Sequence, residues 1–228
     1  MKSIYLILIN TLCFASFALA SEVREFDSSS IKRLEVSNAK GEIQILGTSS
    51  KKIVVSIEKI QFDKQCKFIQ NLNMATLTIK VEQENAIFEK ANCISKLKIE
   101  VPTNKSLDID VSTSSADIAL VDTLGSIIFR TATGAVNIKS DILKNIEGKT
   151  ATGDMQMSFK KCPARADIDI VTAAGHTEIF MPAHCKIKVG HKSATGELFN
   201  ELGESQDYQI KILSKSATGN LSIKKISK

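Results

Sequence analysis

Tryptophan is absent from this 228-residue sequence, tyrosine occurs twice and histidine three times. Although the net charge is +5, the charges are mixed along the chain, with no basic block and no interleaving of basic with aromatic residues. Nucleic acid is therefore not an expected partner, and the mild positive balance implies at most weak attraction to an anionic surface. No Cys-x-x-Cys pair, Gly-x-Ser-x-Gly turn, phosphate loop, dinucleotide fingerprint or zinc-protease helix occurs. Those absences remove the common sequence routes to metal, nucleotide and acyl-transfer chemistry, so no cofactor and no catalytic residue set is expected. Beyond residue 20 no apolar run is long enough to cross a bilayer as a helix.

What the chain does hold is a short motif that recurs. It reads Thr131-Ala132-Thr133-Gly134, Thr150-Ala151-Thr152-Gly153, Thr172-Ala173-Ala174-Gly175, Ser193-Ala194-Thr195-Gly196 and Ser216-Ala217-Thr218-Gly219. Degenerate copies end at Gly41 and Ala116. The flanks keep register with it. Seven positions earlier stand Leu34, Ile109, Ile127, Ile146, Ile168, Val189 and Ile212. Two positions later stand Ile43, Ile118, Val136, Met155, Thr177, Leu198 and Leu221, and four later Ile45, Leu120, Ile138, Met157, Ile179, Asn200 and Ile223. Register kept over seven copies marks a structural repeat.

Apolar residues two apart place alternate side chains on one face, which is a β pattern. The inward phase changes from odd to even distances across the small-residue motif, so a bend lies there, and glycine suits a bend. Successive motifs are 18, 19, 22, 21 and 23 residues apart after Ala116, room for two or three short strands per unit. Units that cannot bury their own apolar face must stack, with equivalent residues about 4.8 Å apart. The expectation is an all-β, single-domain parallel β-solenoid of about seven repeats. Its bends fall at Gly41, Ala116, Gly134, Gly153, Gly175, Gly196 and Gly219. Thr should stack on Thr at the corner, and the Ala two before each Gly should form a thin interior column.

In chain order, Met1-Lys2, an apolar stretch and Ala18-Leu19-Ala20 read as a signal peptide over 1–20, leaving a β-solenoid domain over 21–228. Residues 48–104 interrupt the repeat. Strands are expected at 53–57, 75–81 and 97–101, with a short helix over 63–72 started by Asp63. This segment should cover the N-terminal end of the stack, and the lysines of residues 224–228 should guard the other end against edge pairing.

Four cysteines follow the signal, an even number in an exported chain, which allows three pairings. Cys162 lies nine residues after Gly153 and Cys185 ten after Gly175, nearly the same turn of consecutive coils. Ladder spacing fits a disulfide there, which leaves Cys66 to pair with Cys93.

Carboxylates recur as well. Asp108 and Asp110, Asp167 and Asp169, with Glu147, precede bends, and Glu42, Asp117, Asp154 and Glu197 follow them. Alternation sends them outward. Such a wall could hold Ca²⁺ or supply the acid and base of a glycan-cleaving enzyme, but a solvated outer face is the simpler reading. His176, His184 and His191, within 16 positions, could coordinate a metal, but His176 follows its glycine by one and His191 precedes its own by five, on different strands, so a site is not expected.

The order of signal peptide, aliphatic strand, Thr/Ser-Ala-Thr-Gly bend and second strand, with Leu97-Lys98-Ile99-Glu100-Val101-Pro102 leading into the repeats, resembles a bacterial family of adhesin-labelled β-strand-repeat proteins of unknown function. The likeness runs from about residue 31 to the end. It implies a β-helix in exported or envelope-associated proteins, and it offers no catalytic motif. The expected role is adhesion or envelope scaffolding, in the periplasm or at the cell surface, toward a protein or glycan ligand. A carbohydrate-active enzyme and a periplasmic partner of an envelope complex are the alternatives.

Overall fold

Every regular element in the computed structural model is a β-strand among the described residues, which are 22–84, 91–140 and 144–226. The expected signal peptide lies outside them. The first half comprises β1 (Glu22–Asp27), β2 (Arg33–Thr48), β3 (Lys52–Phe62), β4 (Cys66–Asn73), β5 (Thr76–Gln83), β6 (Cys93–Pro102), β7 (Asp108–Val121), β8 (Ile127–Thr131) and β9 (Val136–Ser140). The second half comprises β10 (Ile146–Thr150), β11 (Met155–Phe159), β12 (Ala166–Thr172), β13 (Thr177–Met181), β14 (Ile187–Ser193), β15 (Leu198–Asn200), β16 (Ile210–Ser216) and β17 (Leu221–Lys225). β2 and β7 each run through their corner as one long strand, each later rung is a strand, a corner and a second strand, and adjacent rungs pair in parallel. The fold is a β-solenoid.

The register puts Leu34, Ile109, Ile127, Ile146 and Ile168 in one file. A second file holds Ile43, Ile118, Val136, Met155 and Thr177. These side chains are all buried, and all but Thr177 belong to one continuous apolar core. Inward volumes compensate between rungs. A Cβ on Gly148 would lie 2.1 Å from the ring of Phe129, so the bare glycine leaves room for that ring.

Sequence order and spatial order part at both ends. In the interrupting segment, β5 pairs with the first half of β2 and β6 with its second half, so these two strands make one further rung outside β2. Leu77 continues the isoleucine file and Leu97 the next one. At the far end β12 pairs with β16 rather than β14, and β14 pairs with β16 from the other side. The last rung in the chain, β16 with β17, is thus inserted between β12–β13 and β14–β15. Burial accounts for the exchange. Ile210, Ile212, Leu221 and Ile223 of the inserted rung are fully buried, with Ser214 its one polar inward residue before the corner, whereas the outermost rung carries both His191 and Asn200 at inward positions. The more apolar rung takes the interior place.

The helix expected over 63–72 is instead strand β4, paired antiparallel with β5 through a two-residue turn at Met74 and Ala75. Met74 takes a positive φ of 52°. The partner edge of β5 was open, and alternating Cys66 and Phe68 could cover the core from there. Strands β3 and β1 close the β6 side in the same antiparallel manner. The lysines expected to guard the C-terminal edge also need correction. Lys224 and Lys225 pair with Phe180 and Met181 of β13, and β17 has β15 on its other side, so it is an internal strand; Lys228 lies outside the described residues. Two disulfides clasp the structure: Cys66–Cys93 joins β4 to the start of β6, and Cys162–Cys185 joins consecutive coils, each with Cα atoms 5.5 Å apart.

Candidate functional site

The corner determines what the outer wall presents. In rung after rung the hydroxyl three positions before the glycine turns inward and accepts that residue's N–H. Thr131 accepts from Gly134 and Thr150 from Gly153, both at 3.0 Å. Thr113 accepts from Ala116 at 2.8 Å, and Ser193 and Ser216 do the same for Gly196 and Gly219. Such a side-chain bond stands in for a backbone turn. It forces the two intervening residues outward, so Ala132, Ala151, Ala194 and Ala217 are exposed, and Ala173 at the one differing corner is exposed as well. The interior alanine column expected from the sequence is therefore an exterior one. Glycine closes the corner because a Cβ at Gly134 would lie 1.9 Å from the carbonyl oxygen of Ala116 on the adjacent rung. Thr172 departs from the pattern. It donates to Ala174 O at 2.8 Å, and Gly175 there adopts a φ of 124°.

With small residues turned out on successive rungs, the wall is hollowed. A groove of about 930 Å³ crosses the corners from the β5 rung to the β12 rung, with Ala132, Ala151 and Ala173 along it. Beside it runs a file four positions before the corner residue. In spatial order this file is Lys80, Ser37, Ser112, Arg130, Lys149, Val171, Lys215 and Lys192. Two of its cations are held by the carboxylate file two positions earlier. Asp110 accepts from Arg130 at 2.8 Å and from Arg33 at 3.2 Å, and Lys149 lies 2.9 Å from Glu147. The hydrogen bond from Lys149, with its charge, lowers the pKa of Glu147. These are solvent-facing pairs, which fix side-chain positions more than they stabilise the fold.

The carboxylates singled out in the sequence divide into two groups. Asp110 and Glu147 serve the ion pairs above. Asp117 and Asp154 instead accept backbone N–H groups of the adjoining rung, from Ala135 at 2.9 Å and His176 at 2.7 Å. Asn220 does the same for Glu197 at 2.9 Å. Asp167 and Asp169 line a separate hollow of about 310 Å³ with Glu147, while Asp108 and Glu42 remain on the outer wall. The three histidines do not converge. His176 follows the corner of the β12–β13 rung, His191 is on the outermost rung, and the inserted rung separates them. His184 is exposed beside the Cys185 disulfide. Among the described residues no group of three or more His, Cys, Asp or Glu could hold a metal ion. The basic file escaped the sequence reading, although its signal was present: Arg130, Lys149, Lys192 and Lys215 share one offset from their glycines.

Comparison with known families places this architecture. A model described as Toastrack DUF4097 matches residues 31–180. The chain belongs to the Toastrack DUF4097 family. The match ends before β14, so the exchanged rungs of this Toastrack chain lie beyond it. Among solved structures, a candidate cell adhesion protein from Clostridium sporogenes superposes with a TM-score of 0.52 at 10% identity, covering 91% of this chain and 99% of its own. At that identity the likeness is one of fold. A candidate lipid binding protein from Parabacteroides distasonis (14% identity, 91% and 97% covered) and a candidate adhesin from Bacteroides fragilis (13%, 91% and 97%) superpose less well, with TM-scores of 0.36 and 0.34. No curated protein matches the chain.

Proposed function

We propose that this Toastrack chain is an exported, non-catalytic binding module of the cell envelope, an adhesin or scaffold that seats a protein or glycan ligand in the corner groove. The observation that carries the reading is the continuity of that groove. One open channel of about 930 Å³ crosses six rungs, and its small exposed side chains let an extended ligand approach the backbone. The lining is held by stacked strands rather than by loops, so it is preorganised.

Catalysis finds less support. A glycan-cleaving acid needs its pKa raised so that it holds a proton. Glu147, which lines the hollow with Asp167 and Asp169, is shifted the other way by Lys149. Export is favoured by the 1–20 signal pattern and by two disulfides, which persist in oxidising compartments.

The test is to fill the groove. Ala132→Trp and Ala151→Trp place bulk on exposed positions and should leave the melting temperature unchanged. Retention on immobilised envelope fractions and glycans should fall at least tenfold. Undiminished retention by folded variants would exclude the groove as the binding surface. Release of reducing sugar by the native protein would reopen the enzyme reading, and a purified chain still carrying residues 1–20 would count against export by signal cleavage.

A further inference from the structure

The outermost rung is an open end. Strand β14 pairs only with β16 and β15 only with β17, so their other edges have no partner strand among the described residues. Leu198 belongs to the core file of Val136, Met155, Thr177 and Leu221, yet it is 41% exposed, and neighbouring Phe199 is 54% exposed. The segment 201–209 covers only the start of β14, where Ser205 N–H donates to Ile187 O at 2.9 Å. An unpaired edge beside an open core is an invitation to a further strand.

The charge on this end is divided by the corner. Residues 186–193 carry Lys186, Lys188 and Lys192 with no carboxylate, and residues 194–209 carry Glu197, Glu201, Glu204 and Asp207 with no lysine or arginine. We propose that this face pairs with the same face of a second copy of the chain, about a two-fold axis that bisects the Ser193–Gly196 corner.

The symmetry follows from strand direction. β14 runs toward the corner and β15 away from it, so a two-fold through the corner lays each β14 antiparallel on the partner's β15. An axis that crossed β14 instead would set lysines against lysines, which is repulsive. With the bisecting axis between Ala194 and Thr195, the register is determined. Lys192 faces the partner's Glu197, Gly190 faces the partner's Phe199, and Lys188 faces the partner's Glu201. These alternate residues lie on the outer faces of their strands. Between them, His191 meets the partner's Leu198 and Val189 meets the partner's Asn200, on the core side. Opposite charges meet at both ends of the pairing, and an aromatic ring covers a glycine at its centre. Each contact occurs twice, as an isologous interface requires.

Within the chain Glu201 already accepts the backbone N–H of Lys225 at 2.9 Å, and Lys188 sits 5.5 Å from the Tyr208 ring. Lys192 and Glu197 make no ion pair within the chain among the described residues. They are therefore the pair to exchange.

The experiment is sedimentation equilibrium of the purified, disulfide-intact protein at low and high salt. The native chain should form a dimer that salt weakens. Lys192→Glu and Glu197→Lys, each alone, should raise the dimer dissociation constant by about tenfold or more, since each sets like charges face to face twice. The double variant K192E/E197K should restore it, while all three melt like the native protein. A native monomer throughout the concentration range, an open-ended polymer, or a double variant no better than the singles would each overturn the proposal.

Discussion

The two ends of the solenoid solve one problem in different ways. At the N-terminal end the outermost rung, β5 with β6, is covered by antiparallel β4 on one side and by β3 and β1 on the other. Beneath that cover Leu77, Ile79, Leu97 and Ile99 are fully buried. Val23, Ile60, Leu72 and Met74 are exposed there, but on the cap strands and their turn, outside the core files. At the other end no strand lies beyond β14 and β15 among the described residues, and the rung instead carries polar side chains at inward places: His191 beyond Ser214, and Asn200 beyond Ile223. Asn200 uses its side chain to accept from Leu202 N–H and donate to Gly203 O, closing the turn after β15. One end is thus finished by added backbone, the other by altered side chains. Covering strands bury whole residues, whereas polar substitution only makes the remaining exposure less costly.

That difference predicts opposite tolerance to one and the same insult. Ile79→Asp puts an unpaired carboxylate under the cap and should cost more than about 4 kcal/mol, enough to prevent folding of a marginal stack. Leu198→Asp, at a place open to water in the single chain, should cost about 1 kcal/mol or less at concentrations where the chain is monomeric, because its charge stays solvated. Urea unfolding of the two variants measures the contrast, and equal destabilisation would show that the far end is covered after all.

The clasps should differ less. Replacing Cys66 and Cys93 by Ser removes a 27-residue closure, and replacing Cys162 and Cys185 a 23-residue one, so loop entropy alone gives each about 3.5 kcal/mol. The first ties the cap strand β4 to the rung it covers. Its loss should therefore also expose the N-terminal end to proteolysis, whereas loss of the second should lower the melting temperature without favouring either end. Limited proteolysis followed by mass mapping distinguishes these outcomes.

A smaller effect comes from backbone proximity. At Gly134 an added methyl meets a carbonyl oxygen that belongs to the stack itself, so Gly134→Ala should cost roughly 2 kcal/mol through overpacking. At Gly190 on the outermost rung the nearest atom is a Leu213 methyl at 3.0 Å, on a side chain that can turn aside. Gly190→Ala should be close to neutral in thermal melts.

The sequence showed the middle of this molecule better than its ends, for a physical reason. From Ile109 to Ile179 each rung repeats the same inward positions about a small-residue corner, so the pattern is reinforced by every copy. The corner chemistry was half legible. Thr-Ala-Thr-Gly marked the bend, but which of its residues faced inward depended on the hydroxyl bond of Thr131 to Gly134, and periodicity does not encode that. The β5–β6 rung was hidden because its two strands are joined by a long connection instead of a small-residue corner. A helix was read over 63–72 because an isolated window holds no information about the open edge of β5. The exchange of the last two rungs was out of reach for another reason: equivalent rungs can stack in either order by local register alone, and the difference lies in His191 and Asn200 against Ser214 and Ile223. The groove and its basic file then follow from stacking, since Arg130 and Lys149 become neighbours only when rungs adjoin.

The gentlest probe of the open end is pH. Both ring nitrogens of His191 are buried without a hydrogen-bond partner, and burial lowers its pKa below 6.5. A lowered folded-state pKa means that the unfolded chain binds the proton first as acid is added. The neutral form therefore contributes its full stability above about pH 6.5, and that contribution declines as the pH falls from there toward the folded-state pKa. Across from the ring stands Ser214, and Lys192 is its charged neighbour on the same strand, so no carboxylate is placed to reverse the sign. His191→Phe removes the titration and supplies an apolar inward residue in the file of Phe129 and Ile170. Stability of the variant should be flatter than native between pH 6.5 and 5, while an equivalent substitution beneath the N-terminal cap would have no such signature because no histidine lies there. Identical pH slopes for native and variant would mean that the outermost rung already admits water to the ring, and that its polar inward residues do not close the core even in part.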